Sequence, residues 1–600
     1  MTSWCIETRR AHHTTPPAHH IVADHAGYEP EIIGFRNPWA SWHKPSVAQV
    51  IQGLEWGERD SHSESKKSQG LSEDQCQSTD TLAEAREKTR PTAETFSIDK
   101  SSVPWPLSLL RRHNHIPLET QKPDFGFGPK DRARATWLGH AGVLVQLPGT
   151  EAHPDPITLL FDPIFSARCS PTQLVGPLRF FPAPCTVDDL PPIDFVFISH
   201  NHYDHLDYNT ILALWRRFGS DIHFFVPLGN KAWFTDENPG VAKENVIELD
   251  WWDHCDIHLK KKGGNSPSMS DASHAASESS DSTCTQPDTT PRTLRITCTP
   301  AQHGSGRNAL DTNHALWSSW MIEHTDPRGQ YDPYRVFFGG DSGYRFHDRR
   351  DELLTSETKG TSGEQPSRSS SLLSSGLISG RNPSSNSSRV SSPATTPKSN
   401  ISPTSSPTLS PQELKNVISE SRSRRARLRR DDSPSQSPIL RRGGILSRQS
   451  SKAPKAKYEK YPACPAFLEI AQRLGSPDML LLPVAVGATL AYLKSFDLLP
   501  EWITPVPRLS SGLTGANHMT AADAVRIYKE MTRSHQGSRV PVCLAIHWGT
   551  FVTGVEEIKE TMCHLETACV NQDVRYSRSY ESSSEHLTFA LVNHGQSIRV

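Results

Sequence analysis

Eleven cysteines are scattered through 600 residues, and no two of them stand in a C-x-x-C spacing. That usage excludes a disulfide scaffold and a cysteine-based zinc module, and it fits a reducing compartment. Charge excess is missing too: the net charge is -2, so the chain lacks the electrostatic footprint of a nucleic-acid binder. Long apolar runs are absent. The longest, Met479 to Leu493, is interrupted by Pro483 and Gly487 and falls short of the roughly 18 residues a spanning helix needs. The start, "MTSWCIETRRAHHTTPP", has no apolar core of a secretory signal, and Glu7 argues against a mitochondrial presequence. The expected location is intracellular, cytoplasmic or peripheral on an internal membrane, with mitochondrial association left open.

What the chain does have is uneven. Residues 1–59 carry an aromatic motif, "FRNPWASW", at Phe35 to Trp42. Residues 60–102 are rich in Ser, Glu and Lys and read as a linker. A structured block follows at 103–354 and resumes at 456–600. Two low-complexity insertions interrupt it, at 260–292 and at 355–455. Both are expected to be disordered loops on the surface of one domain. The basic knot "RRARLRR", Arg424 to Arg430, reads as a solvated charge run or as a patch for anionic lipid. Within the block, β-branched and apolar runs predict strands at 135–147, 157–161, 195–198, 222–226, 246–249, 294–299, 336–338, 479–482 and 542–546. Helices are predicted at 210–218, capped by Asp207 or Asn209, and at 521–531, capped by Thr520.

The chemistry concentrates behind the strand at 195–198. "SHNHYDHLDYN" holds an H-x-H-x-D-H motif: His200, His202, Asp204 and His205. Residues two apart on extended backbone project the same way, so His200 and His202 can share one ion. Asp204 and His205, past the turn, reach a second position. Imidazole and carboxylate without thiolate suit a catalytic site for zinc-type metals. Three further candidates each follow an apolar strand: His303 after "LRITCTPAQ", Asp341 after "RVFFGG" and His547 after "VCLAI". Seven nitrogen and oxygen ligands exceed one tetrahedral ion and suit two metals that share a carboxylate.

These motifs resemble the metallo-β-lactamase superfamily. The segments "FRNPWASW", "TWLGHAGVLVQL", "SHNHYDHLDYN", "VIELDWWD", "TPAQH", "FFGGDSGY" and "AIHWGTF" are similar to its N-acyl-phosphatidylethanolamine-hydrolysing phospholipase D branch. The resemblance implies an α/β fold, a metallo-β-lactamase-like αββα sandwich, and two Zn²⁺ ions per chain. It places one zinc on His200, His202 and His303, the other on Asp204, His205 and His547, and Asp341 between them. It puts Tyr203 and His518 in contact with substrate, and Asp204 and His518 among the catalytic residues. "GHAG" at Gly139 to Gly142 and Asp162 would support the ligands. The implied reaction cleaves N-acyl-phosphatidylethanolamine at a membrane surface into N-acylethanolamine and phosphatidic acid. Exposed aromatics of "FRNPWASW" would anchor the protein at that surface. A homodimer is left open, and no nucleic-acid partner is expected. The chain departs from the family in a long connection, 489–517, where lipid would enter. Rival readings are a lactonase, a soluble phosphodiesterase or a nuclease on the same fold, and a membrane scaffold without turnover.

Overall fold

The computed structural model describes residues 4–55, 117–259, 293–347 and 461–600, except 13–14, 24–30, 53, 129–132, 150–153, 237–238, 309, 326–331, 486–507, 510, 538, 553 and 581–584. The chain divides into one unit of Met1–Thr361 with Glu459–Val600 and another of Ser362–Tyr458, the latter outside the described residues. The two expected insertions, the basic knot and most of the 489–517 connection also lie outside them.

The fold is α/β, with two mixed sheets. One has nine described strands. Trp4–Arg9, His254–Leu259, Leu294–Thr299, Ser319–His324 and Tyr334–Phe338 pair antiparallel in that order. Met479–Pro483, Val542–Ile546, Thr588–Ala590 and Arg575–Ser577 continue the sheet in parallel. The other sheet has seven. Val246–Leu249, His223–Pro227, Phe195–Phe197 and Ile157–Phe161 run parallel, and Gly142–Leu147, Arg134–Gly139 and Ser597–Arg599 complete it antiparallel.

Strand periodicity decides what each sheet face meets. Phe161 and Phe197 project toward the nine-stranded sheet, where their rings lie 4.8 Å from Phe338 and 5.6 Å from Trp320. Their neighbours Leu160, Val196 and Ile198 turn the other way and bury with Ile211 and Leu214 of helix Tyr208–Phe218. The nine-stranded sheet alternates likewise. Phe338 faces the other sheet, whereas Phe337 packs 6.3 Å from Phe467 of helix Ala466–Leu474. Helices Ala521–Thr532 and Val555–Asn571 bury Tyr528, Met531, Ile558 and Leu565 in the same apolar cluster. The central strands are buried on both faces, which explains their continuous apolar runs, whereas edge strands such as Trp4–Arg9 and Arg575–Ser577 are partly exposed.

Most predicted elements recur within a residue or two, but the run at 135–147 is two antiparallel strands, Arg134–Gly139 and Gly142–Leu147, divided by a turn at His140; Thr520 caps its helix by accepting the Asp523 amide. Asp207 occupies the other N-cap position, but its carboxylate accepts from Ser166 and Thr210 instead. The N-terminal segment contributes a strand to the nine-stranded sheet and a hairpin, His20–Ala23 with Glu31–Phe35. Its aromatic motif corrects an expectation. Phe35 is buried, and half-buried Trp39 stacks 5.4 Å from Trp251, so these rings pack on the core and are not free to anchor at a membrane. No helix among the described residues is long and apolar enough to cross a membrane.

Candidate metal centre

Six side chains stand just past the C-terminal ends of six strands. His140, Asp162 and His200 follow strands of the seven-stranded sheet; His303, Asp341 and His547 follow strands of the nine-stranded one. Backbone conformation there is unusual. His140, Asp162 and His547 have φ of 53°, 35° and 59°, a left-handed region that costs a residue with a side chain about 1–3 kcal/mol. Gly340 turns the chain into Asp341 at φ 55°, where a Cβ would meet Ser199 Cβ at 2.8 Å. The sharp turns let the side chains point inward between the sheets' ends.

One group is three imidazoles. His200 Nε2 lies 2.7 Å from His202 Nδ1, and His303 Nε2 lies 3.2 and 3.3 Å from those two atoms. The opposite nitrogens are engaged. Ser199 Oγ donates to Asp162 and accepts from His200 Nδ1, and Asn517 O accepts from His303 Nδ1. That leaves lone pairs on His200 Nε2 and His303 Nε2 facing each other. Burial, with the neighbouring histidines, holds all three rings below the usual imidazole range, His202 at about 4. Neutral rings with converging lone pairs fit a cation.

The second group is His140, Asp204, His205 and His547. His205 Nδ1 donates to Asp162 at 2.7 Å, and its Nε2 points at Asp341 Oδ2 at 3.0 Å. His547 Nε2 is 2.9 Å from Asp341 Oδ1 and 3.7 Å from Asp204 Oδ2. His205 Nε2, His547 Nε2 and Asp341 Oδ1 are buried and form no well-aligned hydrogen bond, so only the short charge contacts among them offset their loss of water. Burial lowers a histidine, yet Asp341 and Asp204 push His547 up to about 9 and His205 well above its ordinary value. Burial raises a carboxyl, yet these histidines hold Asp204 and Asp341 well below the carboxylate range. Such a donor set fits a divalent ion, which would displace the imidazolium protons.

All seven residues expected as ligands come together here. Asp341 Oδ2 lies 3.9 Å from both His200 and His303 Nε2, between the two groups. His518 Nε2 is 3.3 Å from Asp341 Oδ2, and its side chain keeps 18% of its surface exposed. Asn517 Nδ2 faces His518 Nδ1 at 3.2 Å. Tyr203 is partly buried, its ring beneath Arg307 at 4.0 Å. Arg307 also donates to the carbonyls of Asn201 and Leu206, bracing the histidine loop.

His140 lies in the "GHAG" stretch, from which the sequence leads one to expect support for the ligands without singling out this histidine. Its Nε2 donates to Asp204 Oδ2 at 2.9 Å, and burial depresses it to about 3. The available signal was its place directly after an apolar strand, as for the other three. A separate group, His19, His20 and Asp250, differs in kind. There each imidazole donates to its own carboxylate oxygen, at 2.7 and 2.8 Å, so hydrogen bonds satisfy these atoms without an ion.

A beta-lactamase superfamily domain matches residues 158–355, the stretch that carries six of the seven converging residues. The chain belongs to the metallo-β-lactamase superfamily. It is homologous to members of that superfamily's phospholipase branch. It is 34% identical over 211 residues to the N-acyl-phosphatidylethanolamine-hydrolyzing phospholipase D 1 of Caenorhabditis elegans, covering 35% of this chain and 47% of the relative. A Saccharomyces cerevisiae relative, "N-acyl-phosphatidylethanolamine-hydrolyzing phospholipase D, mitochondrial", is 30% identical over 230 residues, 38% of each chain. An uncharacterized Mycobacterium tuberculosis protein is 31% identical over 259 residues, 42% of this chain and 55% of that one. The matches thus span about half the length of these relatives, or less. Together with the histidine and aspartate groups, this superfamily relationship supports a metal-dependent hydrolase.

Proposed function

We propose that this chain is a zinc-dependent phosphodiesterase that hydrolyses N-acyl-phosphatidylethanolamine to N-acylethanolamine and phosphatidic acid. The observation that carries the reading is the convergence of buried ring nitrogens and carboxylates, within metal-ligand distance of one another, between the ends of two sheets. Two Zn²⁺ ions would sit there, one on His200, His202 and His303, the other on Asp204, His205 and His547, with Asp341 shared. Zinc so held lowers the pKa of a water to supply the nucleophile and offsets charge on the phosphodiester. Asp204 is oriented by His140, and His205 by Asp162. His518, three residues before helix Ala521–Thr532 and partly open to solvent, would stabilise or protonate the departing alkoxide. Tyr203 would contact the substrate from the histidine loop.

The names of the worm and yeast relatives support the lipid substrate. So do exposed apolar side chains on two loops that hydrogen-bond to the histidine loop. Leu174 and Leu310 are 85% and 87% exposed. They lie on the segments that carry Ser166 and Arg307, which brace the histidine loop. A phospholipid surface is the expected partner, and the domain is taken as 103–354 with 456–600, an αββα sandwich interrupted at 260–292 and 355–455.

Mass spectrometry of products from a mixed phospholipid pool tests the reading, since it reports bond and headgroup together. N-acylethanolamine and phosphatidic acid are expected. Products of another diester, or hydrolysis of lactones alone, would replace the substrate assignment, and no turnover with metal bound would favour a scaffold.

A further inference from the structure

Among the described residues of the N-terminal segment, Asn37 hydrogen-bonds directly to a residue of the centre. Asn37 Nδ2 donates to the carbonyl of His303 at 2.6 Å, and the His303 N–H donates back to Asn37 Oδ1 at 3.1 Å. One amide therefore grips both backbone groups of the same residue. The grip is reinforced on either side. Phe35 N donates to Asn313 O at 2.8 Å, and Ser41 Oγ donates to Gln302 Oε1. Gln302 in turn donates its backbone N–H to the hydroxyl of Ser342, next to Asp341, at 2.9 Å, and its Nε2 donates to Ala516 O at 2.8 Å.

The far end of the segment is anchored separately. His19 and His20 donate to the two oxygens of buried Asp250, and Arg10 pairs with Asp253 at 2.7 Å. Trp251, between these aspartates, stacks on His19 at 4.2 Å and on Trp39 at 5.4 Å. The stretch from Arg10 to Ser41 is thus tied to the core at both ends, and Asn37 lies within it.

We infer that Asn37 is a positioning residue for His303. The His303 ring is held through Nδ1 by Asn517 O, and its backbone through both peptide groups by Asn37. Three fixed points set where Nε2 aims. Metal sites tolerate displacements of only about 0.5 Å in such atoms. Loss of an outer partner of this type weakens metal binding by about 10–100-fold. The inference rests on the two-zinc reading, so its test is arranged to separate the two.

Zinc affinity of the full-length protein is measured by chelator competition in wild type, Asn37→Ala and His303→Ala, with the cobalt-substituted absorption spectrum and the melting midpoint of each metal-free protein. Asn37→Ala should weaken one of two sites about 10–100-fold and alter the cobalt bands of that site, with the metal-free midpoint little changed. Wild-type affinity in Asn37→Ala, while His303→Ala has lost a site, would overturn the inference. So would equal weakening of both sites together with a large fall in the midpoint, which marks general loosening. Unchanged metal content in His303→Ala would instead defeat the metal reading itself. If Asn37→Ala is insoluble, Asn37→Asp decides: it keeps the acceptor for the His303 N–H, loses the donor to its carbonyl, and should also weaken one site.

Discussion

Asp162→Asn is the most informative substitution around the centre, because it changes one atom of a fully buried side chain. Asp162 Oδ1 accepts the Ser199 N–H at 2.7 Å; Oδ2 accepts Ser199 Oγ at 2.5 Å and His205 Nδ1 at 2.7 Å. In the variant the amide oxygen can keep the Ser199 N–H. Its NH₂ then faces the His205 Nδ1–H, donor against donor. His205 escapes only by moving its proton to Nε2, the atom that points at Asp341, and a protonated Nε2 has no lone pair for a metal. Metal affinity should therefore fall about 10–100-fold, close to 1.4–2.8 kcal/mol. Stability of the metal-free protein should fall by less than the roughly 1.5–3 kcal/mol of a hydrogen bond to a charged group. Burial already raises the Asp162 carboxyl above its ordinary value, so a neutral amide relieves part of the cost of desolvation. Chelator competition and urea unfolding of the metal-free proteins measure the two effects. Unchanged affinity would refute the argument, as would a stability loss large enough to account for the affinity change.

Other expectations follow from separate parts of the fold. His518→Ala should lower kcat by roughly 10²–10⁴ with metal content intact if it acts as general acid, whereas a rise in KM alone would make it a binding contact. Phe338→Ala removes a ring packed 4.8 Å from Phe161 between the sheets and should cost about 3–5 kcal/mol in denaturant unfolding; a loss under about 1 kcal/mol would mean that the gap collapses freely. Asp250→Asn should destabilise the protein at pH 7 by about 1.5–3 kcal/mol. Hydrogen bonds from His19 and His20 outweigh burial and hold Asp250 well below the usual carboxylate range. A depressed folded pKa gives stability that is present above the unfolded value near pH 3.9 and is lost as pH falls below it. The gap between wild type and variant should therefore narrow as pH falls below about 4; a gap that widens there would contradict the assignment.

Strands buried on both faces were the most legible part of the sequence. Ile157–Phe161, Val246–Leu249, Leu294–Thr299 and Val542–Ile546 are short apolar runs whose bounds match the expectation. His254–Leu259, "HCDIHL", was not legible, because its strand character depends on partners far away. Trp4–Arg9 pairs along one edge, and Arg295 engages Asp256 at 2.7 Å from the other. Helix Val555–Asn571 has its signal in plain view, with Val555, Ile558, Met562, Leu565 and Cys569 at helical spacing. The seven converging residues were readable because each follows an apolar run, and His140 obeys the same rule. The N-terminal motif was misread because aromatic content alone cannot distinguish a surface anchor from rings that stack on Trp251.

In the proposed centre two metal ions share Asp341. Elemental analysis of the purified full-length protein and of Asp341→Asn, with turnover of N-acyl-phosphatidylethanolamine recorded on the same samples, tests it most directly. About two zinc ions per wild-type chain are expected, and in the variant a clear loss of metal together with loss of turnover. Full metal content with near-normal turnover in Asp341→Asn would contradict it.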